Sequence, residues 1–219
     1  MQINDLVKGN KKFREARFSK YETDLKQLSK DGQNPDILFI GCSDSRVTPE
    51  LVLDTKPGDM FTLRNVGNFV PPYNPDNDYH GSSAVIEYAV CVLGVKHIIV
   101  CGHSHCGACK SLYQDLGDSP DLINIKKWLE LGKKAKEYTL LATVDKENKE
   151  QLYRTTEKVS IVYQMENLLT FPYIVQKIKN KELQIHGWYY KIEDGTIEYY
   201  DGTDCTFKPL EEYRSNAQQ

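Results

Sequence analysis

The sequence predicts an α/β fold with a mostly parallel central sheet flanked by helices. Two observations carry that prediction. Short apolar runs at residues 37–40 and 95–101 each end in a polar turn, and each is followed by a helical pattern; strand-helix alternation of this kind produces parallel pairs. The 219 residues are 40% hydrophobic, enough for one sizeable core, and length favours one domain or at most two. One is expected.

In chain order, residues 1–34 carry Ile3, Leu6, Val7, Phe13 and Phe18 among many charges, which suits an amphipathic helical arm lying across another surface. Residues 35–116 form the core that holds the candidate site. Pro35 ends the arm, 37–40 is the first strand, and Thr48-Pro49-Glu50 opens a short helix with Thr48 as N-cap and Pro49 at its first position. Lys56-Pro-Gly-Asp59 is a turn, followed by a strand at 60–63 and a Pro- and Asn-rich loop at 70–78. A helix from Gly81 to about Leu93 buries Val85, Ala89, Val92 and Leu93 and is closed by Gly94. The strand at 95–101 and a helix near 108–116 complete this part.

Residues 117–219 supply carboxyl-terminal helices and a strand hairpin. A helix is expected around 122–137, then a long helical segment carrying Val159, Val162, Tyr163, Met165, Leu168 and Leu169 that restarts at Pro172. Glu193-Asp194-Gly195 between alternating apolar runs is a strong hairpin signal.

A net charge of −3 excludes the concentrated basic face of a nucleic-acid binder. The longest apolar stretch, 84–93, is too short to span a bilayer and is interrupted by Glu87. The first twelve residues show no apolar export segment, so a cytoplasmic location is expected. In a reducing compartment the six cysteines read as metal ligands, redox groups or core residues rather than disulfides.

The chemistry concentrates where the two best strands end. Cys42, Asp44 and Arg46 follow the first, and His103 and Cys106 follow the second. Ligands bind at the carboxyl ends of strands in open α/β sheets. If the strands are neighbours, Cys42, His103 and Cys106 meet at one edge as two thiolates and an imidazole, the donor set of a zinc ion with its fourth position open. A closed structural site would more often show a second Cys-x-x-Cys knuckle, and none is present. Three other readings stand beside this one: His105 could ligate in place of His103, Cys106-Gly-Ala-Cys109 could be a redox pair, and Asp44 with Arg46 could be a plain surface ion pair. Cys91, Cys101 and Cys205 are expected to be packing residues.

Cys42-Ser-Asp-Ser-Arg46 with His103-Ser-His-Cys-Gly107 resembles the β-class carbonic anhydrases. The likeness runs from about Gln33 to Leu112, through Arg64-Asn-Val-Gly-Asn-Phe-Val-Pro-Pro72 and Ile86-Glu-Tyr88, and continues more weakly to Ile185-His-Gly-Trp188. It implies zinc, one per chain, on Cys42, His103 and Cys106, a catalytic pair Asp44 and Arg46, and a substrate pocket of Gln33, Phe61, Val66, Tyr88 and Gly107. It also implies a homodimer or homotetramer in which the amino-terminal helices wrap a partner and the pocket is built partly across the interface. One subgroup closes the zinc with the aspartate and carries a tryptophan three residues before the first cysteine; Phe39 stands there, which fits the subgroup with water on zinc. The activity implied is reversible hydration of carbon dioxide to bicarbonate and a proton, by zinc-bound hydroxide that the Asp-Arg pair orients. Hydrolysis of carbonyl sulfide or carbon disulfide on the same site, or a non-catalytic zinc-stabilised binding role, is the alternative. Tyr88 and His80 are candidates for exporting the proton.

Overall fold

Why the chain folds as it does is clearest at its middle strands. In the computed structural model, which describes residues 1–214, the apolar runs become β1 (Ile37–Cys42), β2 (Met60–Asn65) and β3 (His97–His103). Near-continuous burial along β1 and β3 is what strands covered on both faces require. Among the described residues the sheet has six strands, completed by β4 (Gln184–Tyr190), β5 (Ile197–Asp201) and β6 (Thr206–Pro209), in the order β2-β1-β3-β4-β5-β6. The first three pairings are parallel and the last two antiparallel.

β1 and β3 are therefore direct neighbours, with Ile37 opposite His97 and Gly41 opposite Cys101. The expected hairpin at 193–195 joins β4 to β5. β6 is an addition: Thr206–Pro209 is short and half polar, too weak a pattern to announce a strand.

The helices are α1 (Ile3–Ala16), α2 (Phe18–Asp31), α3 (Pro49–Val52), α4 (Gly81–Glu87), α5 (Gly107–Ser111), α6 (Ile123–Leu129), α7 (Lys133–Ala142), α8 (Lys149–Leu168) and α9 (Pro172–Lys179). Leu38, Ile40, Ile98 and Val100 on one sheet face pack with Ile86, Ile161, Leu168 and Ile174 from the helices. Each such side chain contributes about 1.5–3 kcal/mol on burial. α8 lies very close to the sheet: a methyl group on Gly102 would stand 2.8 Å from Ile161, and one on Gly187 2.6 Å from the Met165 sulfur. The opposite face is thinner, with Phe39, Ile99 and Cys101 covered by Leu53, Met60, Trp188 and Tyr190.

Four expectations shift. The helix from Gly81 passes into a π-helical turn over Tyr88–Leu93 before Gly94 closes it in the left-handed conformation. The buried face is Ile86, Ala89 and Val90, and Val92 is 64% exposed. The helix expected at 122–137 is two helices, α6 and α7, separated by a 3₁₀ turn, and the helix near 108–116 is only the five residues of α5. Cys101 is buried as expected, but Cys91 and Cys205 are exposed, and all three are free thiols. α1 and α2 bury no residue in the protomer, and Ile3 is 75% exposed. No helix among the described residues is long and apolar enough to cross a membrane.

Candidate metal centre

The parallel pairing of β1 and β3 brings their carboxyl ends together, and with them Cys42 and His103. The chain then turns through Ser104 and His105 and presents Cys106 at the start of α5. The ligating atoms of Cys42, His103 and Cys106 all lie within 4.8 Å of one another, and all three residues are buried. Thiolates on one tetrahedral zinc stand about 3.8 Å apart, so the spacing suits that ion. The imidazole decides the fit. His103 Nδ1 lies 2.8 Å from the Ser104 carbonyl oxygen; a carbonyl only accepts, so Nδ1 carries the proton and Nε2 offers a lone pair. Nε2 is buried without a hydrogen-bond partner. An orphaned acceptor between two sulfurs is costly unless a cation takes it. The residues fit zinc.

Cys42 Sγ accepts the Asp44 and Gly67 backbone N–H groups, each at 3.4 Å. Gly67 has φ +81°, and a methyl group there would stand 2.8 Å from the Ala108 Cβ, so only glycine brings this N–H to the sulfur. The hydrogen bond shared with the Cys106 thiol, and then burial, push the Cys42 thiol up to about 12. Cys106 is raised as well, first by the Cys109 thiol beside it. Zinc takes such sulfurs as thiolates, so its binding would release these protons.

Asp44 and Arg46 form a bidentate pair. Arg46 Nε donates to Asp44 Oδ1 at 2.9 Å and Nη2 to Oδ2 at 2.7 Å, and the Arg46 backbone N–H adds a third bond at 3.0 Å. These bonds hold the Asp44 carboxyl far below the usual carboxylate range. Arg46 Nη2 also donates to the His105 carbonyl at 3.0 Å, tying the two ligand-bearing turns together. Arg64, on β2, donates to the Cys42 and Asp44 carbonyls at 2.9 and 2.7 Å.

The second turn is held from far along the chain. The Ser104 hydroxyl donates to Glu193 Oε2 at 2.5 Å and accepts the Ile192 N–H at 2.9 Å. His105, with φ +57°, points away from the cluster and pairs through Nε2 with Glu193 Oε1 at 2.6 Å. That contact disposes of His105 as the alternative ligand. The Cys106 N–H donates to Glu157 Oε1 at 2.9 Å, and the Tyr189 hydroxyl donates to Oε2 at 2.8 Å. Arg154 Nη2 lies 3.0 Å from the same carboxylate. Burial pushes the Glu157 carboxyl up to about 7.

The loop after β2 is fixed in the same manner. Trp128 Nε1 donates to the Val66 carbonyl at 2.7 Å, and Gln164 Oε1 accepts the Val70 N–H at 2.8 Å. None of Glu157, Trp128 or Gln164 is marked by a motif, and Glu193 is marked only as part of the hairpin signal. One signal was available: 157, 161, 164 and 168 fall on one helical stripe, so a glutamate in line with Ile161 and Leu168 is a charge on a buried face.

The expected pocket residues divide into two groups. Val66 and Gly107 adjoin the cluster, next to Gly67 and Cys106. Phe61 and Tyr88 stack on each other at 5.8 Å, but Phe61 pairs with Leu38, four residues and about 13 Å of strand below Cys42. Gln33 precedes β1 at the opposite end of the sheet. His80 pairs with Asp76 at 2.6 Å in the loop before α4.

Comparison with known proteins agrees with this geometry. The family model described as "Carbonic anhydrase" matches residues 37–197, a span that contains all three donors. A carbonic anhydrase of Synechocystis sp. is 42% identical over 200 residues, covering 90% of this chain and 70% of the relative. The solved β-carbonic anhydrase CcaA superposes with a TM-score of 0.86 at 38% identity, over 94% of this chain and 98% of that one. Tetrameric β-carbonic anhydrases from Sordaria macrospora give 0.68 at 33% identity, over 90% and 92%. With this motif order, this sheet and these matches, the chain belongs to the β class of the carbonic anhydrase family.

Proposed function

We propose that the chain catalyses the reversible hydration of carbon dioxide to bicarbonate and a proton, with one zinc ion held by Cys42, His103 and Cys106. The observation that carries this reading is the buried donor triad with its unpartnered His103 Nε2, set beside the bidentate Asp44–Arg46 pair. When bound, zinc supplies a Lewis acid that lowers the pKa of coordinated water.

The chain's own residues then orient the reaction. Asp44 is ionised through the pH range of the reaction, because Arg46 stabilises the carboxylate, and it has no proton to give. It accepts the O–H of the attacking oxygen and turns a lone pair toward the substrate carbon. Arg46 keeps that acceptor in one orientation by its two-point grip. Val66 offers an apolar wall, and the Gly107 N–H a donor to a substrate oxygen.

Gln33, Phe61 and Tyr88 complete the pocket from a second protomer, in a homodimer or homotetramer. Two facts support this: in their own protomer Phe61 and Tyr88 sit far down the sheet from Cys42, and α1 exposes Ile3, Leu6 and Val7 while burying nothing. The solved Sordaria relatives are tetramers. A cytoplasmic setting follows from reading the six cysteines as metal ligands and packing groups and not as a disulfide framework.

The test is to assay zinc-loaded protein for hydration of carbon dioxide and dehydration of bicarbonate over a dilution series, with mass measured by light scattering. Acceleration in both directions that falls as protomers separate is expected. No acceleration in either direction contradicts the activity; an equally active monomer contradicts the shared pocket.

A further inference from the structure

We propose that Glu157 is a positioning residue of the metal centre, fixing the Cys106 backbone and through it the direction of the thiolate. The inference rests on the zinc reading above.

Glu157 is 2% exposed and lies on α8, fifty-one residues from Cys106. A carboxylate so placed is destabilising unless its oxygens are satisfied. Its partners come from three directions: Arg154 from the preceding turn of α8, Tyr189 from β4, and the Cys106 N–H from the entrance to α5. Arg154 and Tyr189 aim the carboxylate; the Cys106 N–H is what it is aimed at.

Docking of α8 does not need this group. Ile161 against Gly102 and Met165 against Gly187 already seat the helix on the sheet at closest approach, and an apolar residue would satisfy packing at least as well. The contact does matter at Cys106. Arg46 Nη2 holds the carbonyl edge of the peptide leading into Cys106, and Glu157 holds its N–H edge; with both edges held, only the φ and χ1 torsions of Cys106 remain to place Sγ. Zinc–sulfur distances in a sound site lie within about 0.2 Å of ~2.3 Å, so loosening the N–H edge of this peptide changes how well Sγ meets the metal.

The decisive comparison is Glu157→Met, which fills the space without an acceptor, against Glu157→Gln, whose carboxamide oxygen still accepts. Zinc release to the colorimetric chelator 4-(2-pyridylazo)resorcinol is followed in each. The visible spectrum of the cobalt(II)-substituted protein, which reports ligand geometry and not global stability, is recorded alongside. The methionine variant is expected to release zinc roughly tenfold to a hundredfold faster with shifted cobalt-thiolate bands, and the glutamine variant to stay within about threefold of wild type because its acceptor remains. Equal release and an unchanged cobalt spectrum across all three proteins overturn the proposal while leaving the zinc reading intact. A wild-type chain that takes up neither metal overturns both. If the methionine variant does not fold, Tyr189→Phe removes one support of the carboxylate and leaves the core filled. Release faster by about threefold then supports the role, and unchanged release overturns it.

Discussion

The two turns that deliver the metal donors are built in opposite ways. After β1, Cys42, Asp44 and Arg46 are arranged by bonds between residues two apart: Asp44 N–H to the Cys42 sulfur, and Arg46 to the Asp44 carboxylate. After β3, the turn from His103 to Cys106 is held by Glu157 on α8 and by Glu193 on the hairpin, fifty-one to eighty-nine residues away. The first turn sets its side-chain pairing within a pentapeptide, with Arg64 and Gly67 supporting it from β2 and the loop that follows; the second takes its support from α8 and the hairpin. Changes in the first turn should therefore act on chemistry with little effect on stability, and changes around the second should act on both.

The largest expected effect is at a donor. Cys42→Ser should abolish zinc retention and hydration together, read by metal analysis of the purified protein; a full complement of zinc would remove Cys42 from the ligand set. Next, Asp44→Asn should keep zinc and the unfolding midpoint but lower hydration at pH 8 by about a hundredfold, the scale of a positioned proton acceptor. An unchanged rate would reduce the Asp44–Arg46 pair to a surface ion pair. Glu193→Gln attacks the other turn by loosening Ser104 and His105. About 2 kcal/mol of stability should be lost in urea titration, together with a several-fold loss of rate; a loss of rate alone would show that this turn, like the first, acts on chemistry alone.

A fourth prediction supplies a control far from both turns. His186 and His97 share a contact of 3.1 Å near the amino ends of β4 and β3. Burial pushes His186 down to about 4 from 6.5, so the folded chain keeps it neutral where the unfolded chain takes a proton. Stability is then undiminished above pH 6.5 and lost as pH falls toward 4, by about 2 kcal/mol after allowance for its partial exposure. His186→Phe should flatten that slope without altering the hydration rate at pH 8. A slope that survives the substitution would assign the acid sensitivity elsewhere.

What was legible follows the same division. The triad could be read because β1 and β3 are unbroken apolar runs and their ends are rich in ligating residues; only the adjacency of the strands had to be supplied by the fold. α8 could not be read in this way. Apolar spacing points to Val159, Val162, Tyr163, Met165, Leu168 and Leu169; of these Leu168 is buried, and beside it the helix buries Leu152 and Ile161 together with the polar Thr156, Glu157, Ser160 and Gln164. Glu157 and Gln164 go inside because specific partners wait there, Cys106 and Tyr189 for the first and Val70 for the second, and those partners belong to other segments. Val92 lies outside the face turned to the core because that face is Ile86, Ala89, Val90 and Leu93, spaced i, i+3, i+4, i+7. Cys91 and Cys205 were misjudged because an apolar neighbourhood in sequence does not fix which side of an element faces the core. Gln33, Phe61 and Tyr88 rested on resemblance, and a single protomer does not gather them at the metal centre.

The most direct test of the account is stopped-flow hydration of carbon dioxide from pH 6 to 9, on protein whose zinc content is determined in the same sample. One zinc per chain with a rate that climbs toward alkaline pH is the predicted result. Stoichiometric zinc with no hydration at any pH would contradict the assignment of this centre to carbon dioxide chemistry.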